Sequence, residues 1–428
     1  MPASTSTMDP PPGGPQYGKK LLLIGVFFFL FGFISWINGT LIPYLRIACE
    51  LEEWQAYLVT FAFYISYTVM AIPASGLLQR TGMVKGMSLG LVVMAAGCAL
   101  FIPAAIMRFY PLFLLGLFVV GMGLTILQTA VNPYVTLLGP AESAARRMSM
   151  MGVCNKVAGI LAPLVMGSII LNNSDGLIQE LAGMNAAERA VRLDGLSRMV
   201  ILPYCCLTGL LLLVAWGLRY AHLPDVQPPD TGSASGNNPS LSPQVRWQFA
   251  LGFLAIFCCV GTEVLAGDTI GNYGLYHGLR LDVAKTLTAY PLAGMLIGYL
   301  LGIWAIPKYI SQQTIFLYSS WLGLLFAVLA ITLSGMASIV CIALLGLSNA
   351  VLWPAIWPQA LKGVSGKLLN TGGAVLIMGI AGGALLPLLY GWLARSANNQ
   401  WAYCILIPVY GFLVYYSWSG RRSRLTNH

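Results

Sequence analysis

The sequence predicts an all-α membrane protein of twelve transmembrane helices, arranged as two six-helix halves with inverted three-helix repeats. Three observations lead there. The 428 residues are 57% hydrophobic and only 9% charged, with a mean hydropathy of +0.76, which excludes an ordinary soluble domain. About twelve runs have the ~20 mostly apolar residues that a spanning helix needs: 21–45, 55–79, 86–106, 111–137, 148–171, 199–219, 247–276, 286–306, 313–334, 336–360, 370–393 and 401–418. Residues 221–245, "AHLPDVQPPDTGSASGNNPSLSPQV", have no apolar periodicity and are rich in Pro, Gly, Ser and Asn, so they read as a flexible linker between six helices and six more.

The expected organisation is a tail at 1–20, a first half at 21–220, the linker at 221–245, a second half at 246–420 and a tail at 421–428. The first run, preceded by Lys19 and Lys20, is far longer than a signal-peptide core and lacks a small-residue cleavage site, so it reads as a retained helix. Two halves of six spans joined by a linker suit a transporter built from inverted repeats.

The net charge of +9 is read as topology rather than as affinity for nucleic acid. Lys19, Lys20, Arg80, Lys85, Arg146, Arg147, Arg219, Arg246, Lys308, Lys362, Lys367, Arg421, Arg422 and Arg424 fall on one side of an even helix count. The opposite short loops carry Arg46, Arg108, Arg280, Lys285 and Arg395. The positive-inside bias then places both termini in the cytoplasm. The longer stretch 172–198 is expected outside as a loop. The nine cysteines show no CxxC framework and include the adjacent pairs Cys205/Cys206 and Cys258/Cys259 within apolar runs; they read as small buried hydrophobes with reduced thiols.

Polar residues repeat every third helix. The interiors of the third, sixth, ninth and twelfth runs hold no Asn, Gln, Asp, Glu, Lys or Arg. The first holds Asn38, the fourth Gln128 and Asn132, the seventh Glu263, Asp268 and Asn272, and the tenth Asn349, Trp353, Trp357 and Gln359. A polar group in hydrocarbon is costly unless it faces the bundle interior or a watery cavity. Helices one, four, seven and ten are therefore expected to line the cavity, and three, six, nine and twelve to face lipid.

Within "LQTAVNPYVTLLGP", Gln128 and Asn132 share a helix face at i, i+4 and offer donors and acceptors together, which suits vicinal sugar hydroxyls. The competing reading is glue between helices. Pro133 is expected to kink or break the fourth helix. Trp353 and Trp357 repeat the i, i+4 spacing on the tenth, with Asn349 on the same face, and an indole face covers the apolar side of a pyranose. Trp36 is a weaker candidate.

Glu263 and Asp268 are the intramembrane acids available for binding a coupling cation, H+ or Na+. Five residues correspond to about 140° of a straight helix, so both point into one cavity only if Gly267 or Gly271 bends it. Asp268 shares its face with Asn272. Lys156, in "MGVCNKVAGI", is the one lysine in the apolar runs' interior and is read as an ion-pair partner of one of these acids. No Ser/His/Asp, metal or nucleotide signature is present, which argues against an enzyme and against a metal or other cofactor.

Five stretches resemble the fucose:proton symporter family of the major facilitator superfamily, and most closely its glucose/galactose transporter branch. They are "FFFLFGFISWINGTLIPYL", "LQTAVNPYVTLLGP", "RRMSMMGVCNKVAGILAPL", "VGTEV" and "GLSNAVLWPAIWPQALKGVSGKLLNTGGAVLIMGIAGGALLPLLYGWLA", spanning about 27–393. The basic turn "GLLQRTGMVKG", with Gly76, Arg80, Gly82 and Lys85, resembles the superfamily's loop signature without its aspartate. The resemblance implies cation-driven import of a monosaccharide across the bacterial inner membrane by alternating access, with lipid as the surroundings and no obligate protein partner. It also sets Asn155 beside Asn38, Gln128, Asn132, Asn272, Asn349 and Trp353 as substrate-binding residues. Where fucose permease has acids in helices one and four, this chain has Gly39 and Gln128, so coupling would pass to Glu263 or Asp268. An N-acetylhexosamine or fucose importer, or an uncoupled uniporter, are the alternatives; multidrug efflux is the remote one.

Overall fold

The structure is a computed structural model that describes residues 15–137, 144–170, 177–220, 243–306, 309–361 and 367–425. Among the described residues it is all helical, with eleven helices and one bent pair long and apolar enough to cross a membrane. In chain order these are α1 (Lys20–Ala48), α2 (Glu53–Thr81), α3 (Met83–Met107), α4 (Tyr110–Leu137), α5 (Ala144–Ile170), α6 (Ile201–Gly217), α7 (Pro243–Tyr276), α8 (Leu281–Ala305), α9 (Gln312–Thr332), α10 (Gly335–Asn349 with Leu352–Ala360), α11 (Gly372–Ser396) and α12 (Trp401–Gly420). The even count returns the chain to the face on which it started. That face is called proximal here, and the opposite one distal.

Most of the expected linker lies outside the described residues, but α7 begins at Pro243, so the last residues of 221–245 are helical. The stretch expected as a long loop at 172–198 instead holds two short helices, Leu177–Gly183 and Ala186–Arg198. Asn185 starts the second: its side chain accepts from the Glu188 amide, and Glu188 reaches back to the Asn185 amide. This capping box satisfies two amides that a helix start leaves open.

Without a hydrophobic force between helices in lipid, tight packing depends on small residues. Between α3 and α4, a Cβ on Gly97 would stand 2.6 Å from the Val120 amide, and one on Gly123 would stand 2.5 Å from that of Met94. In the second half, Gly346 of α10 lies on the Pro291 carbonyl of α8, and Gly382 of α11 on the Phe257 carbonyl of α7. The expected lipid exposure holds for α6 and α9, whose apolar windows are 33% buried against 61% for α1 and α7. α3 departs from it at 50%, because the Gly-lined contact with α4 buries one whole face. Cys258 and Cys259 are buried as expected, whereas Cys205 and Cys206 are exposed on α6, so the latter pair is lipid-facing rather than core.

The halves meet from mid-depth to the distal face. α2 packs along α11, α5 along α8, and the distal part of α1 on α7. Glu52 and Arg395 pair across the halves at 3.1 Å, and Thr68 of α2 donates to the Met378 carbonyl of α11 at 3.2 Å. Gly391 and Gly383 of α11 lie against the rings of Tyr57 and Tyr64 on α2. These contacts close the two halves against each other at the distal side, above which a cleft of about 530 Å³ remains between Pro43, Arg46, Glu50, Leu181, Arg189 and Leu275.

Candidate transport site

α7 ties the halves together. It runs unbroken from Pro243 to Tyr276, so the two glycines do not interrupt it and its acids diverge as the 140° separation requires. Glu263 turns to α5, where its Oε1 stands 2.6 Å from Lys156 Nζ. Asp268 turns to α2, where its Oδ2 accepts from the Thr60 hydroxyl at 2.8 Å. One turn farther, Asn272 donates to the Tyr57 hydroxyl at 3.4 Å. Asp268 and Asn272 thus share one face, and Glu263 faces elsewhere.

Lys156 therefore pairs with Glu263. Its ammonium also lies 5.3 Å from the centroid of Trp36, within cation–π range. The Trp36 ring is wedged between Gly159 of α5 and Gly267 of α7, where a Cβ on either glycine would collide with it. The ion pair thus bridges the halves under an aromatic lid. Its side chains keep 8% and 16% exposure, whereas Asp268 is 0% exposed. Trp36, only a weak sugar candidate from sequence, packs this pair.

The remaining candidates divide by burial. Gln128, Asn132, Asn155, Trp353 and Trp357 are half-buried. Gln128 lies beside the hydroxyl of Tyr67, which also meets Ser35. Asn155 donates from its Nδ2 to the Phe28 carbonyl at 3.3 Å, and among the described residues nothing donates to its Oδ1. Trp353 and Trp357 stack at 5.4 Å. Counted from the distal starts of their spans, Tyr110 and Gly335, Gln128 and Trp353 lie at the same depth, and Asn132 and Trp357 one turn deeper. The amide pair and the indole pair therefore sit at the same residue count from the distal ends of corresponding helices, the indole pair beyond the 42° bend of α10.

The others are buried in helix contacts. Asn349 accepts from Tyr410 of α12 at 2.7 Å and from Thr262 of α7 at 3.3 Å, so its carbonyl is used inside the second half. Asn38 lines a void of about 10 Å³ with Phe63, Cys98, Leu117 and Tyr204, inside the first half. Asn272 is held at the distal contact of α2 and α7. The structure does not bring these three together with Gln128. The expected break at Pro133 is also absent, since α4 continues as helix to Leu137. The break lies in α10, bent by 42° between Asn349 and Leu352 just before the indole pair.

Tyr67, Ser35, Thr60 and Tyr57 carry neither an amide nor a charge, so nothing in the pattern of Asn, Gln, Asp, Glu and Lys points to them. Counting tyrosine hydroxyls along the second run, with Tyr57, Tyr64 and Tyr67, would have marked it as a polar helix.

The profile of the Major Facilitator Superfamily matches residues 24–378. The chain belongs to the major facilitator superfamily. Members are transporters, so the chain is not an enzyme. Among curated relatives of this superfamily member, the "Glucose/galactose transporter" of Brucella abortus is 32% identical over 95% of each chain. The "L-fucose-proton symporter" of Escherichia coli is 28% identical, covering 96% of this chain and 94% of the relative. Among solved structures, the superfamily transporter FucP in its outward conformation superposes with a TM-score of 0.73 at 26% identity, over 95% and 99% of the two chains. A D-xylose-proton symporter, 15% identical with a TM-score of 0.64 over 92% and 97%, shares the fold.

Proposed function

We propose that this transporter imports a monosaccharide, glucose or galactose, across the bacterial inner membrane by alternating access, driven by protons. Both termini are cytoplasmic, the distal face is periplasmic, and the structure corresponds to a state shut towards the outside. The observation that supports the reading is that the Gln128/Asn132 amide pair and the stacked Trp353/Trp357 indole pair stay half-buried on corresponding helices of the two halves. Amides that both donate and accept match hydroxyls, and indole faces match the apolar face of a pyranose ring. Asn155 joins them through its side-chain carbonyl. The names of the curated relatives, a glucose/galactose transporter and a fucose-proton symporter, support the substrate class and the ion.

The coupling group is Glu263. It is partly exposed at mid-depth and has Lys156 as an exchange partner: when a proton binds Glu263, the ion pair opens and the tie between the halves is released. α1 and α4 of this chain hold no acid, and Gly39 and Gln128 stand there instead. The test is uptake of radiolabelled glucose into proteoliposomes, with proton and sodium gradients imposed separately and galactose, N-acetylglucosamine and fucose as competitors. Accumulation under a proton gradient, blocked by galactose, is expected. Accumulation under sodium alone, or equilibration that ignores both gradients, would refute proton coupling.

A further inference from the structure

Glu263 and Asp268 are five residues apart on one helix, about 7 Å along its axis, yet their surroundings differ in kind. Glu263 has a lysine. Among the described residues no Lys, Arg or His lies within ion-pair distance of Asp268. One of its oxygens takes the Thr60 hydroxyl, and the other, Oδ1, is buried with no partner. The titratable groups that face it are Tyr57 and Tyr64, both on α2. From α1 and α11 the neighbours at this level are Gly39 and Gly383, whereas α8, which packs on α7 through Ala284 and Thr288, also carries Lys285, whose side chain lies along Gly167 of α5. Arg46 and Glu53 stand farther out, against Tyr57.

An ionised carboxylate in such a place gives up most of its hydration for one hydroxyl, at a cost of several kcal/mol. A neutral carboxylic acid does not. We propose that Asp268 is a proton-binding site at the outer gate, protonated while the distal face is shut and ionised when α2 and α7 part and water reaches it. The site is separate from the coupling carboxylate. A coupling group must exchange its proton with both sides of the membrane, and Asp268 is sealed from the proximal side in this state, so its proton is set by the outer compartment. The distal-shut form then holds one proton more than the distal-open form. Linkage makes the ratio of shut to open rise as pH falls, by up to tenfold per pH unit. The carboxylate is a brake: outside acid holds the gate shut.

The proposal rests on alternating access but not on the identity of the substrate, and its test uses none. Nitroxides are placed on the full chain at Met107 and Met336, exposed residues at the distal ends of α3 and α10 in opposite halves. The exposed Cys205, Cys206 and Cys404 are replaced. Electron–electron distance distributions in nanodiscs are recorded from pH 5 to 8. The expected result is a short-distance population that gives way to a longer one as pH rises, and an Asp268→Asn variant that stays short throughout. His277, the distal imidazole, whose partial burial pulls its pKa below the ordinary value, is controlled by His277→Gln, which is expected to retain the response. Asp268→Asn titrating like the parent, or a parent that ignores pH, would overturn the assignment. Should Asp268→Asn fail to fold, infrared difference spectra between acid and alkaline pH provide the second measurement. A protonated-carboxyl band that shifts in Thr60→Val, which deletes the hydroxyl donating to it, is expected; a band that does not move places the proton elsewhere.

Discussion

Replacing Lys156 by Met removes the ammonium and leaves Glu263, 16% exposed at mid-depth, without its cation. Two responses are open to that carboxylate: it stays charged, or it takes a proton. Loss of one partner from a buried pair costs about 3–5 kcal/mol. Taking a proton at pH 7 caps the penalty, because protonating a glutamate from water, with a reference pKa of ~4.3, costs about 3.7 kcal/mol. At pH 5 the same step costs about 1 kcal/mol. Because the pair joins α5 to α7 across the halves, the penalty falls on the distal-shut state and disappears once the halves separate and Glu263 is hydrated. The shut state should therefore lose several hundredfold in population at pH 7 and roughly fivefold at pH 5. The assay is the distance distribution between labels at Met107 and Met336, recorded in the Asp268→Asn background so that the second acid does not titrate. Lys156→Met should open the distal face at pH 7 and recover at pH 5, whereas Lys156→Met with Glu263→Gln should stay shut at both. A single variant that remains shut at pH 7, or a double variant as open as the single, would refute the reasoning.

Gln128→Ala and Asn132→Ala should each weaken glucose binding about tenfold, the equivalent of ~1.4 kcal/mol for a lost hydrogen-bonding group, without lowering thermal stability; calorimetry on purified variants checks both. Tyr410→Phe should lower the melting temperature slightly, by the ~0.6 kcal/mol typical of a hydrogen bond between membrane helices, with KM unchanged, because Asn349 is a packing residue; a raised KM would return Asn349 to the sugar site. Gly267→Ala drives a methyl into the Trp36 ring and should destabilise by about 1–3 kcal/mol, with the smaller Trp36→Leu restoring much of the loss in thermal unfolding.

The curve of hydropathy along the chain was enough for the number of spans and nearly all their limits, because each helix must satisfy its own backbone in lipid and must be long enough to cross it. The periodic placement of polar residues marked α4, α7 and α10 as helices with polar groups inside apolar runs. Even the divergence of Glu263 and Asp268 followed from 100° of rotation per residue on an unbroken helix. Partner choice is a different matter. Whether Lys156 meets Glu263 or Asp268 depends on the relative depth of two helices 107 residues apart, and relative depth is set by the Gly32, Gly159 and Gly267 contacts that fix how α1, α5 and α7 nest. The same holds for the amides. Asn349 and Gln128 look alike in the sequence, each a polar group in an apolar run. Only the packed bundle shows that a tyrosine from α12 already occupies the first while the second stays half-buried beside Tyr67. Local chemistry follows from residue type and helical period; which polar groups are spent holding the bundle and which remain for a ligand is decided by tertiary contacts, because each hydrogen-bonding group in a dry interior is committed to whatever the neighbouring helix puts in front of it.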